Sequence, residues 1–213
     1  MPQTVEWSSL FENWIASGET ADVAHDLAHI RRVVQMAGRL AEAEEATLEI
    51  VMPAAWLHDC VTTPKSSSDR QKASRWAADR AIGFLAEVGY PLEFHGAIHH
   101  AIEAHSFSSG IEPRTIEAKV VQDADRLDAL GALGIARCFA LGGAMGSAIY
   151  SESDPFCAVR EPDDRRFTLD HFPAKLLKLA GGMQTASGRA EAAWRMSFME
   201  SYLARLREEI AVR

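Results

Sequence analysis

Apolar residues recur at helical spacing through most of the chain, and no segment shows the strict alternation of a half-buried strand. The spacing predicts an amphipathic opening helix over residues 7–16, ended by Gly18. A second helix is predicted over 22–40, with Leu27, Ile30, Val33, Val34 and Ala37 on its apolar side. A third carries Leu48, Val51, Met52, Ala55 and Trp56 and ends near Asp59; Pro53 inside it requires a late start or a bend. After a polar run over 62–68, Ser68 and Gln71 have the pattern of a capping box opening a helix that reaches Val88. Gly89-Tyr90-Pro91 stops that helix, and Pro91 opens another running to His105. A loop over 106–110 follows, and Pro113 suits the first turn of the next helix. That helix carries Asp123, Asp125 and Asp128 and leads into an apolar, glycine-rich stretch over 129–150, read as a central core helix with close helix contacts. Residues 151–168 are polar and irregular, the kind of long connection that is usually functional or mobile. Closing helices are predicted over 171–179 and 188–210. The expected class is all-α, a helical bundle, with residues 1–213 forming a single domain whose C-terminal helices pack on the rest.

Composition narrows the picture. A chain of 213 residues buries enough apolar surface to fold without staples, and its 47% hydrophobic and 24% charged residues are those of an ordinary globular protein. The net charge of −8 argues against a nonspecific grip on a nucleic acid polymer. It does not exclude phosphate binding in a cleft where a metal and a few cations focus the field. The three cysteines form no CxxC pair and read as reduced thiols of a cytoplasmic protein, not as a disulfide framework. The first ten residues lack the basic segment and apolar run of a signal peptide. Residues 129–150 approach the length of a membrane span, but Gly131, Gly134, Gly142, Gly143 and Gly146 and the preceding charged run assign them to a folded core, so no membrane is expected as a partner.

Candidate chemistry lies in histidines and aspartates placed among apolar residues. Two His-Asp dipeptides occur, His25-Asp26 and His58-Asp59, so the dipeptide alone says little. Context separates them. His58-Asp59 ends a strongly apolar helix, and His29 falls on the apolar side of the second helix. Far downstream, Asp123, Asp125 and Asp128 interrupt a helix with apolar neighbours. Ionisable groups on buried faces are costly unless paired or metal-bound. Taken singly, each has an ordinary explanation, such as a hydrogen-bonded core histidine or an aspartate serving Arg126 or Arg137. Taken together, they require several independent coincidences in the order His, His-Asp, Asp.

In that order the chain resembles the HD superfamily of metal-dependent phosphohydrolases, whose signature is H…HD…D across four helices. His29 matches the first histidine, His58 and Asp59 the doublet, and Asp125 the last aspartate. The segments HDLAHIRRV from His25, AAWLHDC from Ala54, QDADRLDALGALGIAR from Gln122 and HFPAKLLKL from His171 also resemble a bacterial subgroup of small single-domain HD hydrolases. The resemblance implies a divalent metal held by His29, His58, Asp59 and Asp125, with Asp59 as the bridging residue if two metals bind. It further implies hydrolysis of nucleoside triphosphates to monophosphate and pyrophosphate, and it is compatible with a homodimer. Two neighbouring readings are a nucleoside monophosphatase or cyclic nucleotide phosphodiesterase, and a non-catalytic nucleotide-binding module. Some HD families carry a catalytic glutamate three positions after the doublet; this chain departs from them, with Thr62 there.

Two imidazoles and two carboxylates suit Mn²⁺ first, with Fe²⁺, Zn²⁺ and Mg²⁺ as alternatives. Such an ion lowers the pKa of a bound water and polarises a phosphoryl oxygen. Asp26, one helical turn before His29, is a candidate to orient its ring. His99, His100 and His105 lie on or just past the end of one predicted helix and are candidates for a second-metal ligand, phosphate donor or general acid; the resemblance singles out His105, which opens an HSFS run. Asp128 is a candidate base or water-orienting group. Lys65, Arg70, Lys72 and Arg75, close behind the doublet, and Lys175 in the last motif are candidate phosphate contacts. The glycine clusters follow no strand, which rules against a dinucleotide or P-loop reading, and Cys60 has no base to make it a nucleophile.

Overall fold

Pro53 sets the problem that the first half of the fold solves. In the computed structural model, which describes residues 3–18, 27–61, 72–106 and 109–211, the proline lies inside α3 (Leu48–Leu57), well past the helix start. Proline has no N–H, so the carbonyl of Glu49, four residues earlier, loses its intrahelical donor. The Tyr90 hydroxyl donates to that carbonyl at 2.7 Å. Tyr90 is delivered there by the turn that closes α4 (Ala73–Glu87). Gly89 adopts φ +74°, its N–H reaches Ala86 O, and the Tyr90 N–H reaches Leu85 O at 2.9 Å. That is a Schellman ending, which needs a left-handed residue after the helix cap. Of the late start or bend expected at Pro53, the late start does not occur, since α3 begins at Leu48, and a tertiary hydrogen bond replaces the missing local one.

The chain divides into two compact units, Met1–Asp125 and Arg126–Arg213. In the first, α1 (Gln3–Ser17), α2 (Leu27–Ala43) and α5 (His95–Glu103) pack against α3. Pro53 through Leu57 are all buried, and Ala54, Ala55 and Leu57 are inaccessible to solvent, so the C-terminal half of α3 is enclosed on every side. Aromatic rings from α1 seal one flank, with Trp14 stacked on Phe84 at 4.1 Å and Trp7 edge-on to Tyr90 at 5.0 Å. α6 (Ile116–Leu127) completes the unit and carries the chain into the second. The proposed Ser68–Gln71 capping box and the start of the predicted second helix lie outside the described residues.

The second unit contains α7 (Gly131–Ala144), a run of short 3-10 and π turns from Thr168 that includes the single turn α8 (Leu177–Leu179), and the long α9 (Ala186–Ala211). The predicted central core helix over 129–150 is corrected here. It is helical only over α7, which buries one face through Gly134, Ile135, Cys138 and Gly142 and packs on α9. The close contacts expected of its glycines are present: a Cβ on Gly142 would lie 2.1 Å from the Thr168 hydroxyl oxygen. Phe139, Phe172 and Tyr202 form a ring cluster with centroids 6.1–6.5 Å apart. The long polar connection is tied down. Asp154 accepts the backbone N–H groups of Ala158, Val159 and Arg160, and the buried Asp170 carboxylate accepts from the Arg160 guanidinium and the Asp163 N–H.

The all-α expectation is borne out: among the described residues the sole β pairing is an isolated bridge between Ala148 and Phe167. Within them no single helix is long and apolar enough to cross a membrane. The Tyr90 cap gives the first prediction. Tyr90→Phe keeps the ring but strands the Glu49 carbonyl, and urea denaturation should show a loss of about 1–3 kcal/mol. A loss below about 0.3 kcal/mol would mean that water, not Tyr90, satisfies that carbonyl.

Candidate metal centre

Four elements of the first unit bring ionisable side chains to one place. α2 contributes His29, one turn before Val33 on its buried side and 1% exposed. The end of α3 contributes His58, with no exposed surface, and Asp59 directly after it. The turn after α5 contributes His105, and α6 contributes Asp125. One ligand atom from each of His29, His58 and Asp125 lies within 4.8 Å of the others. The Asp125 Oδ1 is 3.5 Å from His29 Nε2 and 3.9 Å from His58 Nε2. The Asp59 Oδ2 is 3.7 Å from the first imidazole nitrogen and 3.5 Å from the second. Atoms sharing an ion at ordinary nitrogen and oxygen bond lengths stand about 3–4.2 Å apart, so these separations fit a common divalent cation.

Helix ends decide which ring nitrogens face the cluster. The Nδ1 of His58 lies 2.8 Å from the Ala55 carbonyl, and the Nδ1 of His105 lies 2.6 Å from the Ile102 carbonyl. Each acceptor sits three residues back, in the last turn, where helical carbonyls lack internal donors. A carbonyl can only accept, so both Nδ1 atoms carry hydrogen and both Nε2 atoms are turned toward the site. The His58 Nε2 is buried and receives or donates no hydrogen bond among the described residues, as suits a ligand lone pair.

The electrostatics follow from crowding. Burial pushes the His58 pKa down, beyond what the Asp59 and Asp125 charges recover, which keeps the ring neutral. Burial also opposes charge on His105, but the hydrogen bond and charge of Asp59 outweigh it and raise its pKa. Its Nε2 lies 3.5 Å from Asp59 Oδ1, so Asp59 directs one oxygen at His105 and the other at the two imidazoles. For Asp125, burial favours the neutral acid; the His29 hydrogen bond and the His58, His29 and His105 charges override it and depress the pKa to about 2. The Cys60 thiol, next to Asp59, is pushed up to about 12 chiefly by burial and donates to the Ala77 carbonyl, which is no setting for a nucleophile.

Other candidates fall elsewhere. The His99 ring meets Asp79 at 2.9 Å; His100 accepts the Arg114 N–H at 3.0 Å and faces Glu103, so both are engaged away from the cluster. Asp128 belongs to the second unit, where its carboxylate accepts from Arg137, the salt-bridge alternative for this residue. Lys72 is exposed beside the start of α4, and Arg75, also exposed, lies 3.7 Å from Glu103. Lys175 is exposed on the π turn of the second unit. Asp26, Thr62, Lys65 and Arg70 lie outside the described residues. The sequence reading passed over Gln122, whose amide donates to the Ala104 carbonyl at 2.7 Å beside His105. The one signal for it was its place a helical turn before Asp125.

An all-α unit in which two buried histidines and the partly exposed Asp125 converge, flanked by an Asp-His pair, defines a helical domain able to hold a divalent ion. The chain belongs to the HD-domain family, whose model matches residues 26–130. It is 35% identical to the uncharacterized protein YpgQ of Bacillus subtilis over 202 residues, covering 92% of this chain and 90% of that protein. The crystal structure of Bacillus subtilis YpgQ in complex with ADP superposes with a TM-score of 0.76 at 33% identity, covering 97% of this chain and 96% of that one. An HD-superfamily hydrolase from Bacillus thuringiensis gives the same TM-score, 0.76, and 33% identity over 98% of this chain and 99% of that one.

The geometry predicts a metal-linked stability. At about 100 times its dissociation constant, Mn²⁺ should stabilise the folded protein by about 2.7 kcal/mol in chemical denaturation. His58→Ala should abolish that gain. Equal denaturation midpoints with Mn²⁺ and with chelator in the unaltered protein would count against the site.

Proposed function

We propose that this protein is a divalent-metal-dependent phosphohydrolase that cleaves nucleoside triphosphates, ribo or deoxy, to the monophosphate and pyrophosphate. The observation that carries the reading is the convergence of the buried His29 and His58 with the partly exposed Asp125 and Asp59, in a chain of the HD family. The ADP bound to YpgQ supports a nucleotide phosphate chain as the ligand class. The likeness to YpgQ spans 97% of this chain, which supports treating residues 1–213 as one functional domain.

In this reading His29, His58, Asp125 and Asp59 would hold the ion, with manganese the preferred metal, the two imidazoles turning Nε2 and the carboxylates Oδ1 of Asp125 and Oδ2 of Asp59 toward it. A bound ion would supply Lewis-acid polarisation of a phosphoryl oxygen and lower the pKa of an attacking water. Asp59 divides its work, steadying the cluster with one oxygen and His105 with the other. His105 holds its proton at Nε2 against Asp59 and is the group placed to donate to a phosphate oxygen. The bond broken joins the α-phosphorus to the bridging oxygen, which leaves with pyrophosphate, while the water oxygen stays on the monophosphate. In the same reading Lys65, Arg70, Lys72 and Lys175 are the candidate phosphate contacts.

The test is turnover of a nucleotide panel with Mn²⁺ or Mg²⁺, quantifying orthophosphate and pyrophosphate separately. Pyrophosphate release from a triphosphate is expected, reduced by roughly 10²-fold or more in His105→Ala and abolished in Asp59→Ala. Orthophosphate from monophosphates, or opening of a cyclic nucleotide, would move the protein to the phosphatase or phosphodiesterase class. Tight nucleotide binding without turnover would make it a binding module.

A further inference from the structure

Gln122 is 2% exposed and lies three residues before Asp125 on α6, so the two side chains leave the helix on the same side. Its Nε2 donates to the Ala104 carbonyl at 2.7 Å. That carbonyl closes the C-terminal turn of α5, where helical acceptors have no internal donor. The next residue is His105, whose ring is fixed by the Ile102 carbonyl at 2.6 Å and stands 3.5 Å from Asp59 Oδ1. The helix carrying Asp125 is thereby fastened to the turn carrying His105, and through it to Asp59. The Gln122 Oε1 is buried without a hydrogen bond among the described residues, so the side chain is held by its donor end alone; a methionine would fill similar space but leave the Ala104 carbonyl without that donor.

We infer that Gln122 is a positioning residue of the metal centre, setting the separation between Asp125 and the Asp59–His105 pair by holding the Ala104 carbonyl. The inference rests on the metal reading of the cluster. It places Gln122 outside the ligand set and assigns it no contact with substrate.

Mn²⁺ binding followed by electron paramagnetic resonance of the free ion, in the unaltered protein, Gln122→Met, Gln122→Glu and His58→Ala, provides the test. Gln122→Met, which leaves the Ala104 carbonyl without its donor, should melt several degrees below the unaltered protein in chelator yet remain folded, and bind Mn²⁺ about tenfold more weakly. Gln122→Glu, which turns a carboxylate toward the carbonyl, should lose more. In metal-free protein, ring ¹⁵N spectra should show the His105 signals displaced by Gln122→Met. If that variant does not fold, Gln122→Asn, whose amide is one methylene too short to reach, makes the same comparison. Unchanged Mn²⁺ affinity and unchanged His105 signals in a folded Gln122 variant overturn the inference and leave the metal centre standing. Failure of the unaltered protein to bind Mn²⁺, matching His58→Ala, overturns the metal centre and this inference with it.

Discussion

The hydrogen bond from a histidine Nδ1 to the carbonyl three residues behind it is the constraint on which this site depends. It occurs at the ends of both α3 and α5, at His58 and at His105. Each bond satisfies a carbonyl that the helix cannot satisfy itself and, in the same step, fixes the tautomer and the direction of the ring. The backbone thus supplies the orientation that many metal centres draw from a second carboxylate. That leaves Asp59 and Asp125 available to the ion and to each other's neighbours, which is why two carboxylates and three imidazoles can share so little space.

Such crowding needs a stiff frame, and α3 provides it. Enclosed by α1, α2 and α5, it can place His58 only where its own end falls. The proline inside it would weaken that frame, were it not for Tyr90. The glycine turn after α4 and the cap on Glu49 are therefore part of how the site is held, although both lie on the far side of α3 from its histidine end. Local strain in one helix is relieved by the ending of another, so the first unit gains its rigidity from several elements at once.

Much of this was legible in the residues. The helical class followed from apolar spacing; the stretch read as one helix over 129–150 is helical only over α7, while α9, read over 188–210, runs Ala186–Ala211. His29, His58, Asp59 and Asp125 were legible because ionisable groups on apolar faces demand an explanation. Gln122 and the Tyr90 cap were not, since an amide and a phenol at those positions look like ordinary polar residues until their acceptors are known. The resemblance favours His105 over His99 and His100, but its place against Asp59 and the engagement of the other two with Asp79, Arg114 and Glu103 are visible only in the fold.

The sequence by itself determined the secondary structure, the family and the set of side chains able to hold a metal, because periodicity and the cost of burying charge act locally and leave a mark on residue choice. The tertiary structure alone decided which nitrogen each histidine presents, which of three neighbouring histidines meets Asp59, and how a proline-containing helix keeps its carbonyls satisfied. Those outcomes depend on acceptors supplied at helix ends and by distant residues, and a hydrogen bond between elements has no signature in the sequence of either one.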